Sequence, residues 1–128
     1  MNMVSESLGF DLTRVARFNL FATYSSRALK RIFSYNEIIY CIASPQHSAQ
    51  RFAVRFAAKE AFYKSLCCLY PGSEFSFFAV CQAFSLGRAP FYGAVVDWEK
   101  LGIAPCIVLV SVSHETEMAG AVVFLRSV

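Results

Sequence analysis

The sequence predicts an α+β fold in which one long helix packs on an antiparallel sheet. Helical patterns occupy the first half of the chain and strand-like runs occupy the second half, an order typical of this class. A run rich in Ala, Phe and Arg from Gln46 to Leu69 predicts the long helix, and Pro71 with Gly72 would end it. The 128 residues suit one domain, residues 1–128.

Local signals predict the elements ahead of the long helix. In chain order we expect a brief strand, an amphipathic segment and a short helix, over residues 8–12, 13–24 and 25–33. Ser34 and Glu37 have the Ser-x-x-Glu spacing of a capping box, which predicts a helix that starts there and continues to Ala43. Pro45 would end that helix.

The second half of the chain predicts the sheet. Four runs rich in Phe, Val and Ile are expected to be strands, over residues 75–84, 91–96, 107–113 and 119–125. A single helical turn is expected at residues 97–101. Gly87–Pro90 has the composition of a turn between two of these strands.

The composition is unusually apolar for a chain of this length. Hydrophobic residues make up 56% of the sequence and charged residues only 16%, with 13 Phe and 6 Tyr. A small domain has difficulty covering that much apolar surface by itself, so part of it should face another subunit. We therefore expect an oligomer.

The basic residues are concentrated in the first half of the chain. The net charge is +3 and the calculated pI is about 8.7, a mild excess that does not by itself indicate nucleic acid. Because no glycine-rich loop or strand of alternating basic and aromatic residues accompanies it, we expect no nucleic-acid partner. The asymmetry favours an anionic protein or a phosphorylated ligand.

The cysteines predict buried, reduced thiols. There are 5 cysteines, an odd number, with no Cys-x-x-Cys pair and no histidine at ligand spacing, which disfavours a zinc site or a disulfide framework. Reduced thiols favour the cytoplasm. The N-terminus lacks the pattern of a signal peptide. The longest uncharged run is interrupted by Gly102 and Pro105 and is shorter than the roughly 20 residues that span a bilayer, so no membrane partner is expected.

Two acidic residues lie near apolar segments and are candidates for a site. Asp11 follows the predicted first strand, where it can project into a cleft or, alternatively, cap a helix that begins at Thr13. Glu60 lies in the middle of the predicted long helix and shares a face with Lys64. It belongs either to a site or to a solvent-exposed ion pair with Lys64.

Basic residues supply further candidates. Arg51, Arg55 and Lys59 recur every four residues and form a stripe, which is either a solvated helix face or a row of phosphate-binding groups. His114 ends a predicted strand, where it either makes a structural hydrogen bond or reaches a phosphate.

Three separate blocks of sequence occur in an informative order and spacing. They are Gly9-Phe10-Asp11 with Arg17, Arg55–Ala61 with Lys64, and Val110–His114. Together they resemble the holo-(acyl-carrier-protein) synthase family, the small trimeric type of 4′-phosphopantetheinyl transferase. The resemblance covers nearly the whole chain. It implies the α+β fold of that family, assembled as a homotrimer with active sites between neighbouring subunits.

The resemblance also implies an activity. An enzyme of this family moves the 4′-phosphopantetheine group of coenzyme A to a serine of apo acyl carrier protein and releases adenosine 3′,5′-bisphosphate. It implies that Asp11 and Glu60 bind Mg²⁺, a cation usually held by one or two carboxylates together with substrate phosphate and water. Asp11, Glu60 and Lys64 would then be catalytic, with Lys64 at the departing phosphate. The serine proton would go to Glu60 or to a water on the metal.

Binding residues follow from the same resemblance. Coenzyme A is expected at Lys64 and at four further residues: Arg51, Arg55, Ser113 and His114. The acidic carrier protein is expected at Arg17 and Arg14, although many relatives have an acidic residue in place of Arg14. The enzyme would serve fatty acid synthesis in the cytoplasm. The alternative is a non-catalytic protein of the same fold that binds coenzyme A or a carrier protein.

Overall fold

A computed structural model describes residues 5–128 and confirms the α+β class. Its helices and strands, in chain order, are β1 (Glu6–Arg14), α1 (Ser26–Leu29), α2 (Tyr35–Ile42), α3 (Ser48–Leu69), α4 (Phe77–Ala83), β2 (Phe84–Leu86), β3 (Ala94–Val96), α5 (Trp98–Leu101), β4 (Cys106–His114) and β5 (Met118–Ser127). Short 3₁₀ segments lie at Val15–Phe18, Phe21–Thr23 and Pro45–His47.

The long helix α3 is the centre of the fold, as predicted. It packs against β1 and β5 on one side and against α2 and α4 on others, so that apolar residues on several of its faces are buried. Phe52, Phe62 and Leu66 are fully buried along it. The helix ends at Leu69, and Gly72 follows with a φ of +85°, a left-handed conformation that favours glycine.

The main sheet has three antiparallel strands in the order β1-β5-β4. Side chains alternate between its two faces. The face that packs on α3 carries small and aliphatic residues of β5, all of them buried: Ala119, Ala121, Val123 and Leu125. The predicted packing of an antiparallel sheet on the long helix is therefore confirmed.

The opposite face of the sheet is apolar but exposed. Phe10 and Leu12 are each 57% exposed, and Leu109 is 60% exposed. In the observed register Leu8, Phe124 and Leu109 form one row across all three strands. We call this surface the outer sheet face and define it by Leu8, Phe10, Leu12, Ile107, Leu109 and Val122.

The predicted strand over residues 75–84 is wrong. Most of that run forms α4, which begins after Ser76 because the Ser76 side chain accepts a hydrogen bond from the Ala79 N–H at 3.3 Å. Val80 and Ala83, three residues apart, are then both buried on one side of the helix. Only the short β2 follows.

The other predictions for the second half hold to different degrees. The predicted strand over 91–96 is confirmed only at β3, and Phe91 ahead of it is 84% exposed. β3 pairs with β2 in a separate antiparallel hairpin. The helical turn is confirmed as α5, which Asp97 caps. β4 and β5 confirm the last two strands and are longer than expected.

Near the start of the chain, the capping box is confirmed, whereas the amphipathic segment over residues 13–24 does not form one continuous element. The Ser34 hydroxyl accepts the Glu37 N–H at 3.2 Å, and the Glu37 carboxylate accepts the Ser34 N–H at 2.8 Å. Residues 13–24 form the end of β1 and two 3₁₀ segments. The alternative in which Asp11 caps a helix from Thr13 is therefore wrong, since β1 continues through both residues.

All 5 cysteines lie within the described residues and are free thiols, but the predicted burial is wrong for Cys68, which is exposed. Cys41 and Cys81 are buried, and burial raises the pKa of each thiol to about 12. These two thiols therefore stay protonated and unreactive at neutral pH. None of the helices within residues 5–128 is long and apolar enough to cross a membrane.

Candidate active site

The strand β1 approaches α3 so closely that only glycine fits at the contact. A Cβ atom on Gly9 would lie 1.8 Å from the carbonyl oxygen of Ala61. This approach brings Asp11, two residues further along β1, against the same helix. The Lys64 ammonium donates to the Asp11 carboxylate at 3.1 Å and to the Phe10 carbonyl at 3.0 Å. Two candidate residues that are 53 positions apart thus meet.

Glu60 belongs to the same group of side chains. It is partly buried and lies one turn before Lys64 on α3. Burial raises the pKa of Glu60, the nearby Asp11 raises it further, and Lys64 and Arg17 lower it. Lys64 forms an ion pair with Asp11. The alternative of a solvent-exposed ion pair between Glu60 and Lys64 is therefore wrong. We call Asp11, Glu60 and Lys64 the carboxylate cluster.

The carboxylate cluster has a donor set that suits a hard divalent cation. The charge of Asp11 raises the pKa of Glu60, and a nearby positive charge would favour the ionised form of Glu60. Within residues 5–128, no group of three or more His, Cys, Asp or Glu residues could hold a metal ion. A pair of carboxylates fits Mg²⁺, which takes its other oxygen ligands from substrate and water, and does not fit a structural zinc site.

A second group of charged residues surrounds the ring of Tyr40. The guanidinium carbons of Arg51, Arg55 and Arg88 lie 3.9, 4.6 and 5.2 Å from the ring centroid. Beside this ring is a cavity of about 280 Å³ that Arg51, Arg55 and His114 line together. Among residues 5–128, no Asp or Glu lines it. Its potential is therefore positive and attracts anions. We call it the basic cavity.

The solvated-face alternative for the basic stripe of α3 is wrong at two of three positions. Arg55 is 1% exposed and Lys59 is 0% exposed. Lys59 forms an ion pair with Glu37 at 2.9 Å, and Arg55 donates to the Gly87 carbonyl at 2.7 Å. Charged groups this deeply buried need such partners. Both partners, Glu37 and Gly87, are remote in sequence, so the four-residue spacing of the basic residues could not indicate them.

The strand β4 directs Ser113 and His114 to opposite faces of the sheet, because successive side chains alternate. His114 lines the basic cavity. Within residues 5–128 its ring has no hydrogen-bond partner, which does not support the structural alternative. Ser113 lies with Phe10 and Leu12 in a cavity of about 340 Å³ on the outer sheet face. Within one chain, the basic cavity is therefore lined by Arg51, Arg55 and His114, and Ser113 lies outside it.

The two arginines expected at the carrier protein lie in different places. The Arg17 guanidinium is 4.7 Å from the ring centroid of Phe56 and near enough to lower the pKa of Glu60. Arg14 is exposed at the end of β1 and borders a separate hollow with Glu117. Only Arg17 therefore joins the surroundings of the carboxylate cluster.

The carboxylate cluster and the basic cavity lie on different faces of α3. Because successive helical residues are about 100° apart, Glu60 points roughly 140° away from Arg55 and about 180° away from Arg51. Along the helix axis, Glu60 is about 7 Å from Arg55 and about 13 Å from Arg51. The two sets of groups in one chain therefore do not converge on a single compact ligand.

Sequence reasoning missed two members of the group around the basic cavity. Tyr40 lies on α2 and Arg88 in the connection after β2, and both meet α3 only through the tertiary fold. The sequence assigned Arg88 to a turn and gave Tyr40 no role. An aromatic residue one turn after the capping Glu37 was the only local signal, and such a residue is usually part of a core.

Comparison with known proteins gives one consistent family. The family model described as the 4′-phosphopantetheinyl transferase superfamily matches residues 7–100. The holo-(acyl-carrier-protein) synthase of Geobacter sp. (strain M21) is 51% identical over 59 residues, 45% of this chain and 46% of the relative. The synthase of Treponema pallidum (strain Nichols) is 34% identical over 120 residues, 93% of this chain and 94% of the relative.

These matches differ in extent. The chain spans about half the length of the first relatives it matches, including the Geobacter protein. Among solved structures, a "Chronobacterium ammoniagenes ACPS-CoA complex" is similar with a TM-score of 0.77 and 20% identity, over 98% of this chain and 99% of that chain. At this identity the similarity establishes a shared fold.

Proposed function

The chain belongs to the 4′-phosphopantetheinyl transferase superfamily, and we propose that it transfers the 4′-phosphopantetheine group of coenzyme A to a serine of an apo acyl carrier protein. One observation carries the proposal. The close contact at Gly9 brings Asp11 against α3, where it pairs with Lys64. The charge of Asp11 there raises the pKa of Glu60. The relatives at 34% identity and above are named for this activity.

The reaction is a displacement at phosphorus. The serine hydroxyl oxygen forms a bond to the phosphorus that carries the pantetheine arm, while the bond from that phosphorus to the bridging oxygen breaks. The bridging oxygen and the electron pair leave with adenosine 3′,5′-bisphosphate. Lys64 would stabilise the negative charge on that leaving group. Glu60 would accept the serine proton either directly or through a water.

Asp11 and Glu60 are proposed to hold Mg²⁺. The fit rests on the position of both carboxylates beside Lys64, which pairs with Asp11 at 3.1 Å and lies one helical turn after Glu60. The metal, when bound, would neutralise charge on the diphosphate of coenzyme A. Lys64 and Arg17 add positive charge at the same place and thereby help to orient the anionic substrate.

The basic cavity is proposed to bind phosphate groups of coenzyme A. Arg55 and Arg51 present guanidinium groups, which match phosphate oxygens, and His114 adds a ring nitrogen. The packing of Tyr40 against both arginines limits their motion. Ser113 stays a predicted coenzyme A contact, and it would reach the ligand from the outer sheet face.

We propose a homotrimer whose active sites lie between subunits. The outer sheet face is too apolar and too exposed for a monomer, which supports burial against a second copy. The separation of the basic cavity and the carboxylate cluster on α3 supports a site that combines one group from each of two subunits. Light scattering should give three times the mass of one chain. Leu109→Lys should lower that mass because it places a charge in the interface.

Mixed assemblies test whether a site is shared between subunits. At a coenzyme A concentration near the wild-type KM, pure assemblies of Glu60→Gln should be inactive and pure assemblies of Arg55→Ala should have little activity. Subunits of both kinds, co-expressed in one assembly, should regain part of the activity, because some sites would then combine an intact Glu60 with an intact Arg55. Absence of any recovery would contradict the shared site.

The carrier protein is proposed to bind beside Arg17 and Arg14. Carrier proteins of this kind are acidic, and opposite charges on two surfaces accelerate and strengthen their association. Arg17 lies next to the carboxylate cluster, where the carrier serine must arrive. We further propose that the enzyme acts in fatty acid synthesis in the cytoplasm, where its free thiols would stay reduced.

Incubation of the protein with coenzyme A, Mg²⁺ and apo carrier protein tests the activity. Intact-mass spectrometry should show the carrier gaining one phosphopantetheine group. Glu60→Gln should abolish the gain, whereas Glu99→Gln, an exposed glutamate on α5, should not. If the chain binds coenzyme A but modifies no carrier that an established synthase modifies, the non-catalytic alternative is correct.

A further inference from the structure

A buried carboxylate outside the proposed reaction site joins three parts of the fold. Glu37 is 2% exposed. One of its oxygens accepts the Ser34 N–H at 2.8 Å and the Lys59 ammonium at 2.9 Å, and the other accepts the Leu86 N–H at 3.0 Å. Every donor to this side chain comes from a different segment: the start of α2, the middle of α3 and the end of β2.

Its ionic partner is equally confined. The Lys59 ammonium also donates to the carbonyl oxygens of Cys81, at 2.8 Å, and of Phe84. All three of its protons are thereby used. A buried ion pair generally contributes little net stability compared with apolar residues of the same size. The Glu37–Lys59 pair is therefore better explained by the backbone segments that it holds in place.

The contact at Leu86 leads directly to the basic cavity. Gly87, the next residue, presents its carbonyl oxygen to the Arg55 guanidinium at 2.7 Å. The other hydrogen bond of that guanidinium goes to the Arg51 carbonyl at 3.2 Å, within α3 itself. Among the described residues, the Gly87 carbonyl is thus the hydrogen-bond acceptor that holds Arg55 from outside α3, and the Tyr40 ring packs against the same guanidinium. The Arg55 Nε atom is buried without a partner among the described residues, so the guanidinium depends on few contacts.

We propose that Glu37 is a positioning residue for coenzyme A binding, which holds the Leu86–Gly87 backbone so that Arg55 keeps its orientation in the basic cavity. The inference rests on the proposed function, because it takes coenzyme A as the ligand of that cavity. Glu37 itself does not contact the ligand. The carboxylate cluster lies on another face of α3, so Glu37 should affect substrate binding more than the chemical step.

A double-mutant cycle on Glu37 and Arg55 tests the proposal. Glu37→Gln should raise the KM for coenzyme A, and its Kd by calorimetry, about tenfold, which is the usual effect of losing one charged hydrogen bond. The kcat should stay within about threefold of the wild-type value. In the Arg55→Ala background, Glu37→Gln should change the KM less than about twofold, because its effect passes through the missing side chain.

Lys59→Met combined with Glu37→Gln separates positioning from stability. The double substitution leaves no unpaired buried charge, so it should fold more stably than Glu37→Gln alone. Its Kd for coenzyme A should nevertheless stay about tenfold weaker than that of the wild type. Recovery of affinity along with stability would overturn the proposal.

Two further outcomes would each overturn the inference about Glu37. If Glu37→Gln and Arg55→Ala have additive effects on the KM, Glu37 does not act through Arg55 and the inference is wrong while the proposed function stands. If the wild-type chain binds no coenzyme A at all, the proposed function is wrong and the inference falls with it.

Discussion

The contact between β1 and α3 at Gly9 sets the spacing of the carboxylate cluster, and Gly9→Ala tests it. The added Cβ would lie 1.8 Å from the Ala61 oxygen and 2.8 Å from the Ser65 nitrogen, both backbone atoms. Ordinary contact begins at 3.4 Å, so the strand and the helix must separate by roughly 1.6 Å. Overpacking costs about 1–3 kcal/mol where side chains can adjust. Here only backbone can move, and we expect the free energy of unfolding to fall by at least about 3 kcal/mol.

Thermal and urea unfolding, followed by circular dichroism at one fixed protein concentration, measure this loss. The melting temperature should fall by about 10 °C. Gly120→Ala is the matched control in the same sheet, because its Cβ would meet the movable end of the Leu12 side chain at 3.3 Å. It should unfold within about 1 kcal/mol of the wild type. A Gly9→Ala variant as stable as Gly120→Ala would refute the argument from close packing.

Four other predictions follow from single residues and their burial. Ser34→Ala removes the cap of α2 and should lower the free energy of unfolding by about 1 kcal/mol in urea titrations, with transfer activity retained by the folded protein. Arg17→Glu should raise the KM for the carrier protein in steady-state assays. Added salt should reduce the difference in this KM between the variant and the wild type. Iodoacetamide at pH 8 should label the exposed Cys68 quickly and leave Cys41 and Cys81 unlabelled, as peptide mass spectrometry would show. Since the pKa of each buried thiol rises from 9.0 to about 12, the unfolded chain loses these protons first, and stability should fall as the pH rises from 9 towards 12.

Local signals predicted the parts of the fold that local interactions form. The capping box at Ser34 and the long run of helix-forming residues in α3 each depend on neighbours in sequence, and both were predicted correctly. The helix α4 was missed because its aromatic and β-branched residues favour strands. Its Ser76 cap and the packing of Val80 into the core decided the outcome. Tertiary packing commonly overrides propensity in such short apolar runs.

The candidate site likewise has residues that the sequence predicted and contacts that only the tertiary fold shows. Asp11, Glu60 and Lys64 were all singled out from the sequence, and the close approach at Gly9 brings them together. The burial of Lys59 could not be predicted, since a lysine is expected in solvent unless a partner is known. Its partner Glu37 lies on another helix, and the carbonyl oxygens that complete its contacts belong to α4 and β2. Only the folded chain reveals such a pair.

A single-turnover reaction tests the central claim most directly. The chain would be mixed with limiting coenzyme A, Mg²⁺ and excess apo carrier protein, and each time point would be divided for two measurements. Intact-mass spectrometry would quantify the modified carrier, and chromatography would quantify adenosine 3′,5′-bisphosphate. We predict equal amounts of both products with one shared time course, and neither product with Glu60→Gln. Release of adenosine 3′,5′-bisphosphate without a matching gain in carrier mass would contradict the account.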